Sequence, residues 1–212
     1  MSASLSSYID YTILKPETTL GQVLEICKTA ESRNYKAVCI PPCYVAEAYH
    51  ALRDCAVKVC TVVGFPLGYS TTESKLEETR QALFQGADEI DMVVNLSHFR
   101  SGAYGKVGSE IESLSAMCHA SEKILKVIIE SGLLNRDDIR IMCELCAAGG
   151  ADFVKTSTGF NGTGAEVEKV EWMRSFLPKE IQIKASGGIR TLESAQAMIA
   201  AGADRIGTST AF

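Results

Sequence analysis

Short aliphatic runs recur eight times along this chain, each separated from the next by a stretch with helical periodicity. The runs are Tyr8–Thr12, Ala37–Ile40, Val57–Val63, Glu89–Val94, Ile124–Ile129, Phe153–Lys155, Ile181–Ala185 and Asp204–Gly207. Thr18 or Thr19 caps a first helix with Leu20, Val23, Leu24 and Cys27 on one face, and further helices are predicted over about 44–53, 72–85, 105–120, 137–148, 165–176 and 191–200. No hairpin signal joins any two strands, so each must reach the next through a helical crossover, which means parallel pairing. The helix ends Gln85-Gly86-Ala87-Asp88, Ala148-Gly149-Gly150-Ala151-Asp152 and Ala201-Gly202-Ala203-Asp204 repeat one helix-to-strand turn. Eight such units predict an α/β fold, a (β/α)8 TIM barrel formed by one domain over residues 1–212. The alternative, an open doubly wound sheet, usually carries a glycine-rich phosphate turn after its first strand, and none follows Thr12. The run ending at Gly207 is followed by only a few residues, so the outer helix expected after the eighth strand is lacking.

Composition narrows the function classes. The 212 residues are 46% hydrophobic, enough for one substantial core, and the net charge is -5 with basic residues dispersed. Nothing in that pattern suggests a nucleic-acid or anionic-membrane surface. The start, Met1-Ser2-Ala3-Ser4-Leu5-Ser6, lacks the basic and apolar regions of a secretory signal, so a soluble cytoplasmic protein is expected. Most of the eight cysteines sit inside apolar helix or strand patterns, where a free thiol behaves as a small hydrophobe. Cys143-Glu144-Leu145-Cys146 has zinc or redox spacing but lies within a predicted helix, without a second such pair. No metal and no cofactor are expected.

Two lysines stand where buried strands should end: Lys155 in Phe153-Val154-Lys155-Thr156-Ser157-Thr158-Gly159 and Lys184 in Ile183-Lys184-Ala185-Ser186-Gly187-Gly188. Barrel enzymes place their chemistry at the C-terminal ends of the strands, so neighbours on strands six and seven would share a site. Asp91 lies on strand four with the parity of Glu89, Val93 and Asn95; Asp10 lies on strand one, Cys39 on strand two and Lys126 early in strand five. A charge inside a small barrel needs a partner, and Lys155, Lys184 and Asp91 can partner one another. A lysine nucleophile must be neutral, yet only about one in 2,500 is so at pH 7 with the reference pKa of ~10.4. A second ammonium ~5 Å away adds about 3 kcal/mol of repulsion at an effective dielectric of ~20, a little over two pKa units. Adjacent lysines therefore suit imine formation with a carbonyl substrate, with an aspartate to move protons. A Lys–Asp–Lys ion network of purely structural purpose is the bland alternative.

The loops after the last two strands suit an anion. Ser186-Gly187-Gly188 would let backbone N–H groups approach closely, and Gly207-Thr208-Ser209-Thr210 adds a glycine and three hydroxyls where many such barrels bind phosphate.

Six stretches together resemble the deoxyribose-phosphate aldolase family: Ile9-Asp10-Tyr11-Thr12-Ile13-Leu14-Lys15-Pro16, Ala37-Val38-Cys39-Ile40-Pro41-Pro42, Glu89-Ile90-Asp91-Met92-Val93-Val94-Asn95, Leu125-Lys126-Val127-Ile128-Ile129-Glu130, the Lys155 stretch through Phe160, and Lys184 through Arg190. The resemblance covers essentially the whole chain in the family's motif order. It implies a metal-free class I aldolase of deoxyribonucleotide catabolism on a TIM barrel. Deoxyribose 5-phosphate, a small phosphorylated sugar, would be cleaved reversibly to acetaldehyde and glyceraldehyde 3-phosphate. It further implies that Lys155 forms the Schiff base, that Lys184 tunes it and that Asp91 takes part in the proton relay. Thr158 and Gly159 would meet the sugar, and Gly187, Gly188, Gly207 and Ser209 the phosphate. Asp10, Cys39 and Lys126 would complete the substrate pocket. The family usually has histidine where Tyr11 stands, and a C-terminal tail that can approach the site. A homo-oligomer, dimer or tetramer, is compatible with this reading. The rival readings are another phosphosugar barrel enzyme, epimerase or transaldolase-like, and a non-catalytic phosphate-binding barrel.

Overall fold

The structure, a computed structural model, describes residues 5–211. Eight strands close a parallel barrel in chain order, β1 Ile9–Thr12, β2 Ala37–Ile40, β3 Lys58–Val63, β4 Glu89–Val93, β5 Ile124–Ile128, β6 Phe153–Lys155, β7 Gln182–Ser186 and β8 Arg205–Thr208. The outer helices are α1 Leu20–Ser32, α2 Val45–Leu52, α3 Thr72–Phe84, α4 Leu96–Arg100, α5 Tyr104–Ala120, α6 Arg136–Ala148, α7 Val167–Phe176 and α8 Leu192–Ala200. The expected strands and crossovers are all present, with ends displaced by a residue or two. The short α4 has no counterpart in the sequence reading, because five residues give too little periodicity to register; Asn95 caps it, accepting the His98 N–H at 3.0 Å. Among the described residues no helix follows β8.

The repeated helix-to-strand turn has a physical role. Asp88, Asp152 and Asp204 each precede a strand and clamp the strand before it from both sides of one residue. Asp88 donates its N–H to Val59 O (2.7 Å) and accepts the Val59 N–H on Oδ2 (3.1 Å). Asp152 does the same at Leu125 (3.1 and 2.8 Å), and Asp204 at Ile183 (2.8 and 2.8 Å). The glycine before each aspartate takes a positive φ, from 77° at Gly150 to 109° at Gly202, which reverses the chain after the helix without a Cβ penalty.

Strand residues facing outward, among them Val38, Ile40, Ile90, Met92, Val127 and Ile183, form one apolar layer with the helices. The inward positions are different: Asp10, Glu89, Asp91, Lys126, Lys184 and Arg205 are all buried. A second buried ion pair lies outside the barrel. Lys75 on the outwardly polar α3 is fully buried, donates to Val93 O at 2.8 Å and sits 2.9 Å from Glu110 Oε2 on α5. Burial pulls Lys75 down from the ordinary lysine range against the opposing pull of Glu110. Glu110 also accepts the Asn95 N–H (3.2 Å), so this pair ties both helices to the C-terminal end of β4.

Candidate active site

Register brings the two lysines together: Lys155 and Lys184 are Cα partners on β6 and β7, as Asp91 and Lys126 are on β4 and β5. Both lysines converge on one oxygen. Asp91 Oδ2 accepts Lys155 Nζ at 2.6 Å and Lys184 Nζ at 2.7 Å, while Oδ1 accepts Lys126 Nζ at 2.9 Å. Lys184 also reaches Asp10 Oδ2 (2.6 Å), and Lys126 reaches Glu89 Oε2 (2.5 Å). Arg205 closes the network between Asp10 Oδ1 (2.7 Å from Nε) and Glu89 Oε2 (2.9 Å from Nη2). Four cations thus share three carboxylates at the centre of the barrel.

The electrostatics follow from that crowding. Burial alone would raise the Asp91 carboxyl, but Lys126, Lys155 and Lys184 outweigh it and hold it well below the usual range. Asp10 is likewise lowered: burial opposes ionisation, and Arg205, Lys184 and Lys126 prevail. Burial works against the Lys184 ammonium, yet Asp10 and Asp91 lift it well above the ordinary lysine value. Lys184 is therefore the fixed charge of the pair. The expectation of two bare ammonium groups repelling each other changes accordingly: a carboxylate oxygen stands between them and offsets part of the repulsion.

A cavity of about 640 Å³ opens above this network at the C-terminal ends of β1, β6, β7 and β8. Lys155 reaches its wall, as do Thr158, Gly159, Gly187, Gly188, Gly207 and Ser209. Asp10, Cys39, Asp91, Lys126 and Lys184 do not: each is fully buried beneath the cavity floor. The sequence-predicted set thus divides into a wall and a charged foundation, with Lys155 the member that belongs to both. Gly187 and Gly188 have φ values of 91° and 81°, a backbone that an L side chain rarely enters. A Cβ on Gly188 would meet nothing within 4 Å, so its backbone faces open space. Lys15 and Arg190, both exposed, stand at the rim, and among the described residues no carboxylate lines the cavity. Phe65 and Phe160 meet edge to face (5.3 Å between centroids), and Asn161 Nδ2 donates to Pro66 O (3.1 Å), joining the loops after β3 and β6. A second surface groove of about 790 Å³, between the Pro42–Cys43 turn after β2 and α3, carries Glu73, Glu77 and Glu78 and shares no lining residue with this cavity.

Cys39, Cys60 and Asp91 present donor atoms within 4.8 Å of one another, the one such grouping among the described residues. Asp91 already receives three ammonium groups there, so a metal ion would have to displace them. The Cys60 Sγ donates to Asp91 Oδ1 at 3.1 Å and the Cys39 thiol lies 4.0 Å from Oδ2. Burial lifts the Cys60 thiol well above the ordinary thiol range, and the neighbouring Asp91 charge pushes it the same way, so Cys60 keeps the proton it gives to that bond.

Sequence reasoning missed Arg205, Glu89, Cys60 and Glu130 as members of this region. The available signal was a charge inside an aliphatic strand: Glu89 shares the parity of Asp91, and Arg205 that of Gly207.

Comparison with known proteins supplies the family. The family profile of DeoC/LacD family aldolases matches residues 5–210. A deoxyribose-phosphate aldolase of Clostridium kluyveri is 48% identical over 208 residues, 98% of this chain and 95% of that one. Deoxyribose-phosphate aldolase 1 of Staphylococcus aureus is 49% identical over 203 residues, 95% of this chain and 91% of its own. The tetrameric deoxyribose phosphate aldolase of Aeropyrum pernix superposes with a TM-score of 0.92 at 33% identity, covering 97% of this chain and 87% of that one. Lysines sharing one aspartate under an anion-ready cavity and a match over nearly the whole length lead to one conclusion: the chain belongs to the DeoC/LacD aldolase family.

Proposed function

We propose that this protein is a deoxyribose-phosphate aldolase, cleaving 2-deoxy-D-ribose 5-phosphate reversibly to acetaldehyde and D-glyceraldehyde 3-phosphate through a Schiff base on Lys155. The observation that carries the reading is Lys155 itself. It is the one cation of the buried network that reaches the cavity wall, and its Nζ lies 2.6 Å from Asp91 Oδ2. Three carboxylates balance Lys126, Lys184 and Arg205, so loss of one proton from the cluster leaves it neutral, and the amine at the cavity wall is placed to lose it.

The neutral amine attacks the C1 carbonyl of the open-chain sugar, and the carbinolamine loses water to an imine. Asp91 Oδ2 is within reach to move the protons of these steps, with Lys184 as its standing ammonium partner. Removal of the C3 hydroxyl proton breaks the C2–C3 bond, and the electron pair passes into the imine to give an enamine. The phosphorylated aldehyde leaves, the enamine carbon is protonated, and water releases acetaldehyde and regenerates the amine. Thr158 and Gly159 flank the sugar. Gly187, Gly188, Gly207 and Ser209 offer backbone and hydroxyl donors to the phosphate, with Lys15 and Arg190 at the rim to draw in a dianion. Asp10, Cys39 and Lys126 act from beneath the floor, by holding Lys184 and Asp91, rather than by touching substrate. This is the work of a soluble cytoplasmic enzyme; among the described residues no helix is long and apolar enough to cross a membrane.

Borohydride reduction in the presence of acetaldehyde, followed by peptide mass mapping, tests the reading. An ethyl group on Lys155 is expected. Folded protein with no adduct, or with adducts confined to surface lysines, overturns it.

A further inference from the structure

Glu130 bears three costs at once and belongs to neither the Asp91 network nor the cavity wall. It follows the C-terminal end of β5 with φ 52° and ψ 55°, a left-handed conformation that glycine enters freely and glutamate does not. It is 1% exposed. One carboxylate oxygen, Oε1, accepts the Thr158 N–H at 2.6 Å, while Oε2 is buried without a hydrogen-bond partner. Burial raises its carboxyl above the ordinary glutamate range, against the opposing hydrogen bonds from Thr158 and the charge of Lys155. Residues held in such conformations persist where their surroundings over-determine them, and they gather at functional sites.

The bond it makes lies at the point where the chain leaves the sheet. Beyond the last pairing of β5 with β6, Ile129 N–H donates to Lys155 O (3.0 Å) and Ser131 N–H to Thr156 O (2.8 Å). Two residues further on, the Thr158 N–H finds its acceptor in the Glu130 side chain, where no strand remains. From the β7 side, Ser186 N–H donates to Thr156 Oγ1 (3.0 Å) and Ser186 Oγ to Ser157 O (2.6 Å). The turn is thus held along both edges up to Ser157, and Glu130 holds it one residue further. Lys155 begins that turn; Thr158 and Gly159, in the cavity wall, end it.

We propose that Glu130 is a positioning residue for the aldol reaction: its carboxylate grips the Thr158 amide and so sets the Thr158–Gly159 wall that aligns the sugar over Lys155. This rests on the aldolase reading above. It assigns the residue's role to an acceptor oxygen at one place, not to its charge.

Three measurements test it. In the unmodified protein, hydrogen exchange at the Thr158 amide should be as slow as at the neighbouring strand amides; exchange at the rate of an open loop overturns the proposal. Glu130→Gln keeps a carbonyl acceptor and should retain kcat/KM for deoxyribose 5-phosphate within about threefold. Glu130→Gly relieves the left-handed backbone and deletes the grip, so it should lose kcat/KM by about tenfold or more. Its rate of borohydride-trapped imine formation with acetaldehyde, a donor too small to span the wall, should stay within about threefold. Full kcat/KM in Glu130→Gly, equal impairment of the two variants, or imine trapping that falls in step with cleavage each overturns the assignment. Should Glu130→Gly not fold, the amide exchange and Glu130→Gln still decide it. Failure to trap Lys155 in the unmodified protein would instead refute the aldolase reading, and the Thr158 exchange rate would still report on the grip.

Discussion

Replacing Lys184 with methionine separates the electrostatic argument from simple damage to the fold. The substitution keeps an unbranched stem of similar size in a fully buried site and removes the ammonium that bridges Asp10 (2.6 Å) and Asp91 (2.7 Å). Removing one partner from a buried ion pair typically costs about 3–5 kcal/mol, which for a chain of this length lowers Tm by about 7–11 °C. The chemistry should suffer in a different way. Lys155 and Lys184 bond the same Asp91 oxygen, so their nitrogens lie no more than about 5 Å apart, and their mutual repulsion is about 3 kcal/mol at an effective dielectric of ~20. Without Lys184 that repulsion vanishes, and three cations face three carboxylates. The Lys155 proton is then needed to balance the cluster. Imine formation with acetaldehyde at pH 7 should fall about a hundredfold, and the pH–rate profile should move up by about two pH units. Rapid-mixing measurement of imine formation from pH 6 to 10, beside thermal unfolding at pH 7, reads both effects. A folded Lys184→Met variant with an unshifted profile would refute the reasoning, even if its rate were lower, because misplacement of Asp91 alone lowers the rate without moving the profile.

Gly207→Ala tests the packing under the loop proposed to hold the phosphate: a Cβ there would lie 2.8 Å from Ser186 Cβ and 3.2 Å from Lys184 Cε. It should destabilise the protein by about 1–3 kcal/mol and lower kcat/KM for the sugar phosphate, seen by thermal unfolding and steady-state kinetics; wild-type values in both would show that this contact yields freely. Asp10 and Asp91 have folded carboxyls held below the unfolded value, so the unfolded chain binds more protons near pH 4 and the stability they contribute is present above that pH and lost below it. Urea midpoints should therefore change little from pH 7 to 5 and drop steeply below about pH 4, and a rise on acidification would contradict the sign. Of the eight cysteines only Cys43 is exposed. Ellman's reagent should label it first, with the buried thiols reacting only after denaturation; equally fast labelling of Cys39 would place that thiol at the surface.

Much of the fold was legible because each cue is local. Strand-length aliphatic runs without hairpin turns force parallel crossovers, and the recurring Gly-Ala-Asp helix exit reveals the repeated unit. Lys155 and Lys184 were legible for a related reason: a lysine closing a buried run is anomalous within a few residues of sequence. What remained hidden depends on faces and distance. Lys75 reads as one more polar residue on an outwardly polar helix, and its burial against Glu110 exists only once α3 and α5 pack together. Glu130 looks like a polar strand end, and its grip on Thr158 needs a left-handed backbone that no pattern of residue types announces.

The sequence alone determined that eight strand–helix units would lie in parallel and that two lysines would stand on adjacent strands, because periodicity and chain connectivity leave little choice. Lys155 does end β6, whereas Lys184, expected at a strand end, is the middle residue of β7. Closure of the barrel decided the rest. Asp10 and Arg205, 195 residues apart, become partners only when β1 pairs with β8. That seam anchors Asp10, Asp10 and Asp91 fix the charge on Lys184, and Lys155 alone is left reaching the cavity. Which buried charge is free to do chemistry is a property of the whole network, since each charge is set by neighbours the chain reaches only in three dimensions.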